Sequence, residues 1–575
     1  MDPRLPPAPP SDGFLVRHRY AFLAAVGTLV YVAFLGARGL WFPDEPNLAV
    51  VARGMVESGD WIVPRRNGEV WLDYPPLLYW LGALSSRLLG GVSVFALRLP
   101  SALAALVLVL ATCRAASRAF DARTGLWAGL LLLTFEQFAM QAPSYRPDMV
   151  FAALIGVGFL AYVEGLGPPP RWGPRILAFA CFGLAVLAKG PLGLLLPGLV
   201  LVLFHLADRT WRRLLDLVPL TLVALAVVLP WALACAQAVG SDTFLGELFA
   251  QNFQRFGSDF RGHGRPPFYY LAHLPLDLAI WSPLLPFAFL AALRRPARRV
   301  LLTRLSLGWF ATFLVFLSLA VTKREVYLLP AYPAAALLLA PWLVGVVHRV
   351  EGRGAKRPWE QGVVRAFTGG LAFALPVVGA LSLLSALFLP ALVGRLDLDA
   401  PKASVLLALR GPLVLLGVLT SASGAWILTA WRRGEAARAL VRAALFQIPI
   451  LLLVFAWVLP TLDPAKSYAP AGRWIRAEAP RATDLGLAWP DLGRHKQSGF
   501  AWATGLRVHL LGDREAIERF LAAHPASLVL VHAPDAKRLL GDGAKRWRPS
   551  SVPILQVARR SYLVLRGPKA LAGQR

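Results

Sequence analysis

The sequence predicts a polytopic α-helical membrane protein of about thirteen transmembrane helices, closed by a small C-terminal α/β domain. Three observations carry that reading. The 575 residues are 57% hydrophobic and only 16% charged, with a mean hydropathy of +0.55, whereas a soluble domain is about a quarter charged. Apolar stretches near twenty residues, the length that crosses a bilayer, recur from residue 20 to about residue 461. Dense arginine clusters separate them in a regular alternation, as cytoplasmic loops require.

Taken in order, residues 1–19 read as a cytoplasmic tail, too long and proline-rich before the first apolar run for a cleaved signal peptide, with Arg17, His18 and Arg19 anchoring the first span. Spans are expected at about 20–40, 93–112, 124–142, 147–166, 174–189, 191–207, 214–238, 268–293, 304–321, 326–347, 365–392, 403–431 and 439–461. The pair around Lys189-Gly190-Pro191 competes with a single kinked helix. With the N-terminus inside, the clusters Arg114/Arg118/Arg123, Arg171/Arg175, Arg209/Arg212/Arg213, Arg294 to Arg304, Arg349 to Arg365 and Arg432 to Arg442 all fall on one side. An odd number of spans keeps them there and puts the C-terminus outside. Residues 75–90 are too short and broken to span, and are expected to lie along the interface with Tyr79 and Trp80 at headgroup level.

The membrane region thus occupies 20–465, with a long outer loop at 41–92. From 466 to 575 short apolar runs, such as Leu528 to Val531 and Tyr562 to Leu565, alternate with helical stretches, the pattern of an α/β domain. It holds no phosphate-binding glycine loop, and the chain shows no internal repeat. The formal net charge of +27 does not point to nucleic acid, because the basic residues form no single stripe with stacking aromatics. Cys113, Cys181 and Cys235 lie far apart in apolar runs, without the spacing of a disulfide framework or a cysteine–metal site.

The outer loop concentrates the chemistry. Trp41-Phe42-Pro43-Asp44-Glu45-Pro46 and Trp71-Leu72-Asp73-Tyr74-Pro75-Pro76 place carboxylates at the membrane boundary, where they are costly unless they meet water, a cation or a reacting group. The outer side also gathers Asp148, Lys189, Arg255, His263, Arg265, Lys323, Arg324 and Tyr327. Carboxylates suit acid–base work or metal ligation, and the cations, Lys189 and Arg265 among them, suit a phosphate. A transporter would bury isolated ionisable groups deep in its spans, and few occur there. An enzyme at the interface is therefore favoured over a flippase of polyprenyl-linked glycans. A receptor-like scaffold leaves the acidic loop without a purpose.

The run from Asp44 to Leu84 resembles the first outer loop of membrane glycosyltransferases of the GT-C type, related to the bacterial aminoarabinose transferase of lipid A and the protein O-mannosyltransferases. The likeness recurs at Arg146-Pro-Asp-Met149, Ala188-Lys-Gly-Pro191, His263 to Tyr270 and Thr322 to Pro330, in order over about 20–350. The resemblance implies an inner-membrane enzyme of the bacterial cell envelope. Its donor would be a polyprenyl-phosphate sugar, and its acceptor lipid A, another glycolipid or a protein on the periplasmic face. It implies Asp44 as the catalytic carboxylate, with its neighbour Glu45 completing the Asp-Glu pair and Asp148 nearby. Lys323 and Tyr327 would contact the donor phosphate, and Asp73 with His263 would hold a divalent metal such as zinc. The aminoarabinose branch often has Glu-Lys-Pro where this chain has Asp73-Tyr74-Pro75, so one phosphate-binding lysine is missing.

Overall fold

The computed structural model describes residues 13–250, 264–350, 357–396, 400–489, 495–540, 555–557 and 560–566. Among these, nine helices are long and apolar enough to cross a membrane by length and composition, from Val94–Ala119 to Ala436–Lys466. Each stretch expected to span overlaps helix, but four are not long unbroken spans. Two are shorter helices, Arg19–Tyr31 and Leu192–Ala207. The stretch at 124–142 is broken by extended backbone at Phe135, between Ala122–Thr134 and Glu136–Gln141. The stretch at 268–293 splits into Tyr269–Asp277 and Ala279–Ala292, bent by 118°. Pro275 and Pro283 lie inside those two pieces, where each removes a backbone donor.

The pair around Lys189 resolves into two helices, Trp172–Lys189 and Leu192–Ala207. Gly190 separates them at φ +99°, backbone that a side chain would strain, and Pro191 starts the second. The break leaves Lys189 at the very end of its helix.

The outer loop is folded. Its first helix, Asp44–Ser58, begins after Pro43, with Asp44 and Glu45 in the first turn, and ends at Gly59 with φ +75°. Acids at a helix start and a left-handed glycine at its end are the favourable placements. A short hairpin of β1 (Arg65–Arg66) and β2 (Glu69–Val70) follows, then the helix Leu77–Leu88. Tyr79 in that helix is fully buried, so it is a core residue and not a headgroup anchor. Trp80 is half-buried and donates Nε1–H to the Trp61 carbonyl at 2.7 Å.

The C-terminal region forms a five-stranded sheet. Its strands are β3 (Asp484–Ala488), β4 (Arg507–Leu511), β5 (Leu528–His532), β6 (Leu555–Val557) and β7 (Arg560–Arg566), in the order β4-β3-β5-β7-β6. β3 runs parallel to both β4 and β5, while β7 pairs antiparallel with β5 and β6. All five residues of β3 and of β5 are buried, as central strands covered on both faces should be. The sheet region is tied to the outer loop through Trp41. Its backbone bridges to Ser467, and its Nε1–H donates to Asp463 Oδ1 at 2.8 Å. The three cysteines are free and buried.

Candidate active site

Asp44 and Glu45 are neighbours in sequence with separate tasks. Successive residues on a helix point about 100° apart, so the first turn of Asp44–Ser58 sends one carboxylate inward and the other toward the site. Glu45 is buried. Its Oε2 accepts from Arg38 Nη1 at 2.9 Å, Arg98 Nη2 at 2.7 Å and the Trp41 backbone N–H at 2.9 Å. Its Oε1 accepts from Arg98 Nε at 2.8 Å and the Tyr145 N–H at 2.9 Å. Five donors fill the four or so acceptor positions of a carboxylate. Glu45 therefore positions the loop, and the expectation that it shares in catalysis is corrected. Burial alone would raise its pKa, but the Arg38 and Arg98 guanidinium groups outweigh that and hold it far below the usual carboxylate range.

Asp44 keeps part of its side chain open, at 30% exposure. Both its ion pairs are made through Oδ2, to Arg324 Nη2 at 2.7 Å and Arg146 Nη2 at 3.0 Å. Arg146 reaches a second carboxylate as well, with Nε 3.5 Å from Asp148 Oδ2. Asp148 follows Pro147 in the first turn of Pro147–Leu166, yet no side chain caps that helix. Its carboxylate instead receives Lys189 Nζ at 2.5 Å. Asp44, Arg146, Asp148, Lys189 and Arg324 thus form one connected cluster, three cations against two carboxylates. That surplus suits a further anion.

Lys189 also stands over the Tyr327 ring, 4.5 Å from its centroid. Both residues line a cavity of about 400 Å³ with Asp73, Tyr74 and Thr322 at its polar part. The rest of the lining is apolar, including Leu192, Leu195, Leu196, Phe313, Phe316 and Leu317. Of the outer-loop aromatics Trp41, Trp61, Trp71 and Tyr74, Tyr74 lines the cavity. Trp41, Trp61 and Trp71 are instead each overlaid by an arginine, Arg38, Arg87 and Arg66 respectively.

Lys323 does not join this cluster. Its ammonium donates to the Arg265 carbonyl at 2.9 Å and to the Ala320 carbonyl, closing the C-terminal end of Leu301–Leu319, where a cation is favourable. The ammonium expected to contact phosphate is thus taken up by carbonyls, while its neighbour Arg324 is the residue that reaches Asp44. Arg265 is exposed and donates to the Gly264 carbonyl at 3.0 Å. Its strand-like pairing, Gly264 with Thr322, sets it beside the turn that carries Arg324. Sequence reasoning also undervalued Arg146. Its signal was present, two positions before Asp148 in a short outer turn between spans.

His263 lies outside the described residues. Among the described residues no three His, Cys, Asp or Glu side chains converge as a metal site. Asp73, the other expected ligand, lines the cavity. No chemical step is assigned to a metal here.

A crystal structure of ArnT from Cupriavidus metallidurans bound to undecaprenyl phosphate superposes with a TM-score of 0.74 at 22% identity, over 95% of this chain and 97% of that one. This is a GT-C fold. Residues 73–233 match the family described as dolichyl-phosphate-mannose-protein mannosyltransferase. Among curated relatives, an undecaprenyl phosphate-alpha-4-amino-4-deoxy-L-arabinose arabinosyl transferase of Pseudomonas savastanoi pv. phaseolicola is 33% identical over 340 residues, 58% of this chain and 62% of that protein. The same-named protein of Serratia proteamaculans is 29% identical over 416 residues, 71% of this chain and 70% of that one. The chain spans a little under two thirds of the first of these relatives. The GT-C resemblance carried by the motifs agrees with these matches, and the motif cluster sits where the GT-C helices meet their outer loop.

Proposed function

We propose that the protein is a glycosyltransferase that moves a sugar from a polyprenyl-phosphate donor to lipid A, another glycolipid or a protein on the periplasmic face of the bacterial inner membrane. The observation that carries this reading is the joining of two parts. Lys189 belongs to a cluster of three cations and two carboxylates and also lines an apolar cavity of about 400 Å³. An apolar cavity with a charged end is what a lipid phosphate requires, since its chain and its head need opposite surroundings. The names of the curated relatives point to the same donor class.

In this reading Lys189 and Tyr327 meet the donor phosphate at the cavity mouth. Asp44 accepts the proton of the acceptor oxygen as that oxygen bonds to the anomeric carbon, and the sugar–phosphate bond breaks in the same displacement. The leaving phosphate gains negative charge, which Lys189, Arg146 and Arg324 meet without needing to reorganise water. The two arginines now on Asp44 Oδ2 gain a second anion when the donor enters, and its Oδ1 is the atom turned to the acceptor. Mass spectrometry of intact lipid A, glycolipids and envelope proteins from cells with and without the gene tests this. A sugar-sized mass should be missing from one acceptor class when the gene is deleted, and unchanged spectra in all three would refute the reading.

The thirteen-span topology belongs to the same proposal, with the N-terminus cytoplasmic and 466–575 periplasmic. It rests on the one-sided arginine clusters. A reporter active only in the periplasm, fused after residue 575, should be active. A cytoplasmic reporter active there instead would remove this topology.

A divalent metal held by Asp73 and His263 with the donor phosphate is proposed separately, since carboxylate and imidazole suit zinc. Two protein ligands retain a metal weakly, so zinc should be recovered with the purified protein only when undecaprenyl phosphate is present. His263→Ala should abolish that recovery. Equal zinc content with and without the lipid, or in the variant, would remove the assignment.

A further inference from the structure

A second cavity, of about 610 Å³, lies between the C-terminal sheet and the outer loop, lined by Phe42, Tyr468, Lys496, His532, Pro534, Arg560 and Ser561. Its position follows from the sheet. From β3 the chain passes to β4 on one side, and from β5 it passes toward β7 on the other. The carboxyl ends of the parallel neighbours β3 and β5 therefore flank a point where the strand order reverses, which is where open α/β sheets bind ligands. Trp489 follows β3 directly, and His532 ends β5. Their rings stack 3.9 Å apart at 11°.

The charge there is one-sided. Lys496 Nζ lies 3.8 Å and Arg560 Cζ 4.7 Å from the centroid of the same Trp489 ring. Lys496 is buried to 7% exposure, in the first turn of the helix His495–Thr504. Among the described residues neither cation makes an ion pair with a carboxylate. Asp535 is engaged elsewhere, its Oδ2 accepting from His532 Nδ1 at 2.7 Å and its Oδ1 pairing with Arg538 at 3.3 Å. Burial, and then the nearby Arg560, push Lys496 down to about 8, as two cations gathered without an anion should. The stacked indole explains how the cations are held. It does not explain why two of them converge on a cavity.

We infer that this pocket binds a phosphate group carried by the head of the acceptor, with Lys496 and Arg560 as its cations. The inference rests on the glycosyltransferase reading and adds to it a place for the acceptor. Phe42 lines the pocket and packs on Tyr468, ring centroids 5.9 Å apart. Two residues further on is Asp44, so a head group anchored here lies alongside the loop that carries the proposed base.

The test uses the full-length protein in detergent and three probes: bis-phosphorylated lipid A, the same lipid after phosphatase treatment, and inorganic pyrophosphate. Native mass spectrometry reads binding, and undecaprenyl phosphate is measured in parallel. Wild type should bind the phosphorylated lipid about 10-fold or more tighter than the dephosphorylated form, the effect of one or two charge-assisted hydrogen bonds. The double variant K496Q/R560Q should lose that difference while binding undecaprenyl phosphate normally. K496R/R560K should keep most of it, which separates charge from folding. Retained discrimination in K496Q/R560Q overturns the inference. So does binding of pyrophosphate at this pocket with no preference between the two lipids, which identifies a free anion as the ligand. Failure of wild type to bind undecaprenyl phosphate would instead count against the transferase reading itself.

Discussion

Replacing Asp44 with asparagine is expected to lower sugar transfer by about 10²-fold or more, the range for loss of a general acid–base group, with membrane insertion and undecaprenyl phosphate binding retained. The substitution keeps volume and one acceptor oxygen while removing the charge that now receives Arg146 and Arg324. Because the proposed phosphate contacts are Lys189 and Tyr327, donor affinity should change far less than turnover. Single-turnover transfer with the purified variant checks this. Turnover within a few fold of wild type would take the base role from Asp44.

The second large effect is expected one residue later and is of another kind. Glu45→Ala leaves Arg98, which is fully buried, and Arg38 without their carboxylate. Removing one partner of a buried, hydrogen-bonded pair costs about 3–5 kcal/mol, so the outer loop should lose its fold and the protein much of its thermal stability. The folded-state pKa of Glu45 is depressed by those guanidinium groups. Its contribution is thus fully present above the unfolded-state pKa and is lost as pH falls through the folded-state value. Wild type should be destabilised on acidification below about pH 4.5, and Glu45→Gln should show a weaker acid dependence. Thermal unfolding between pH 3 and pH 7 separates the two. Identical pH profiles would mean that Glu45 is not the group that titrates.

These two predictions also mark how far the sequence could be read. Hydropathy located the apolar helical stretches between residues 20 and 461, because a bilayer imposes a length that composition must satisfy, but not the helix Asp44–Ser58 inside the outer loop. It missed the bend between Asp277 and Ala279 because a hydropathy average does not report the backbone donors that prolines remove. The motifs brought Asp44, Asp148, Lys189 and Tyr327 to one place. They did not distinguish Asp44 from Glu45, or Lys323 from Arg324, since adjacent residues share every sequence signal and differ only in the direction the local backbone sends them. The turn before Glu325–Ala331 aims Arg324 at Asp44 and folds Lys323 back onto helix carbonyls. The C-terminal sheet was legible as alternating apolar runs. The cavity at the ends of β3 and β5 was not, because Lys496, His532 and Arg560 are scattered through the sequence and meet only through strand order.

The central claim is that the sugar–phosphate bond of the donor is broken by this protein and the sugar is passed to an acceptor. It is tested most directly with the purified protein in liposomes of bacterial envelope lipid and protein. These are supplied with a panel of undecaprenyl-phosphate sugars that includes the 4-amino-4-deoxy-L-arabinose donor named for its relatives, with lipid A as one acceptor. Mass spectrometry follows donor and acceptor over time. The account predicts free undecaprenyl phosphate appearing in step with an acceptor heavier by one sugar, and neither product with Asp44→Asn. A donor lipid that crosses to the opposite leaflet intact, with no free undecaprenyl phosphate and no modified acceptor, would contradict it and make the protein a transporter.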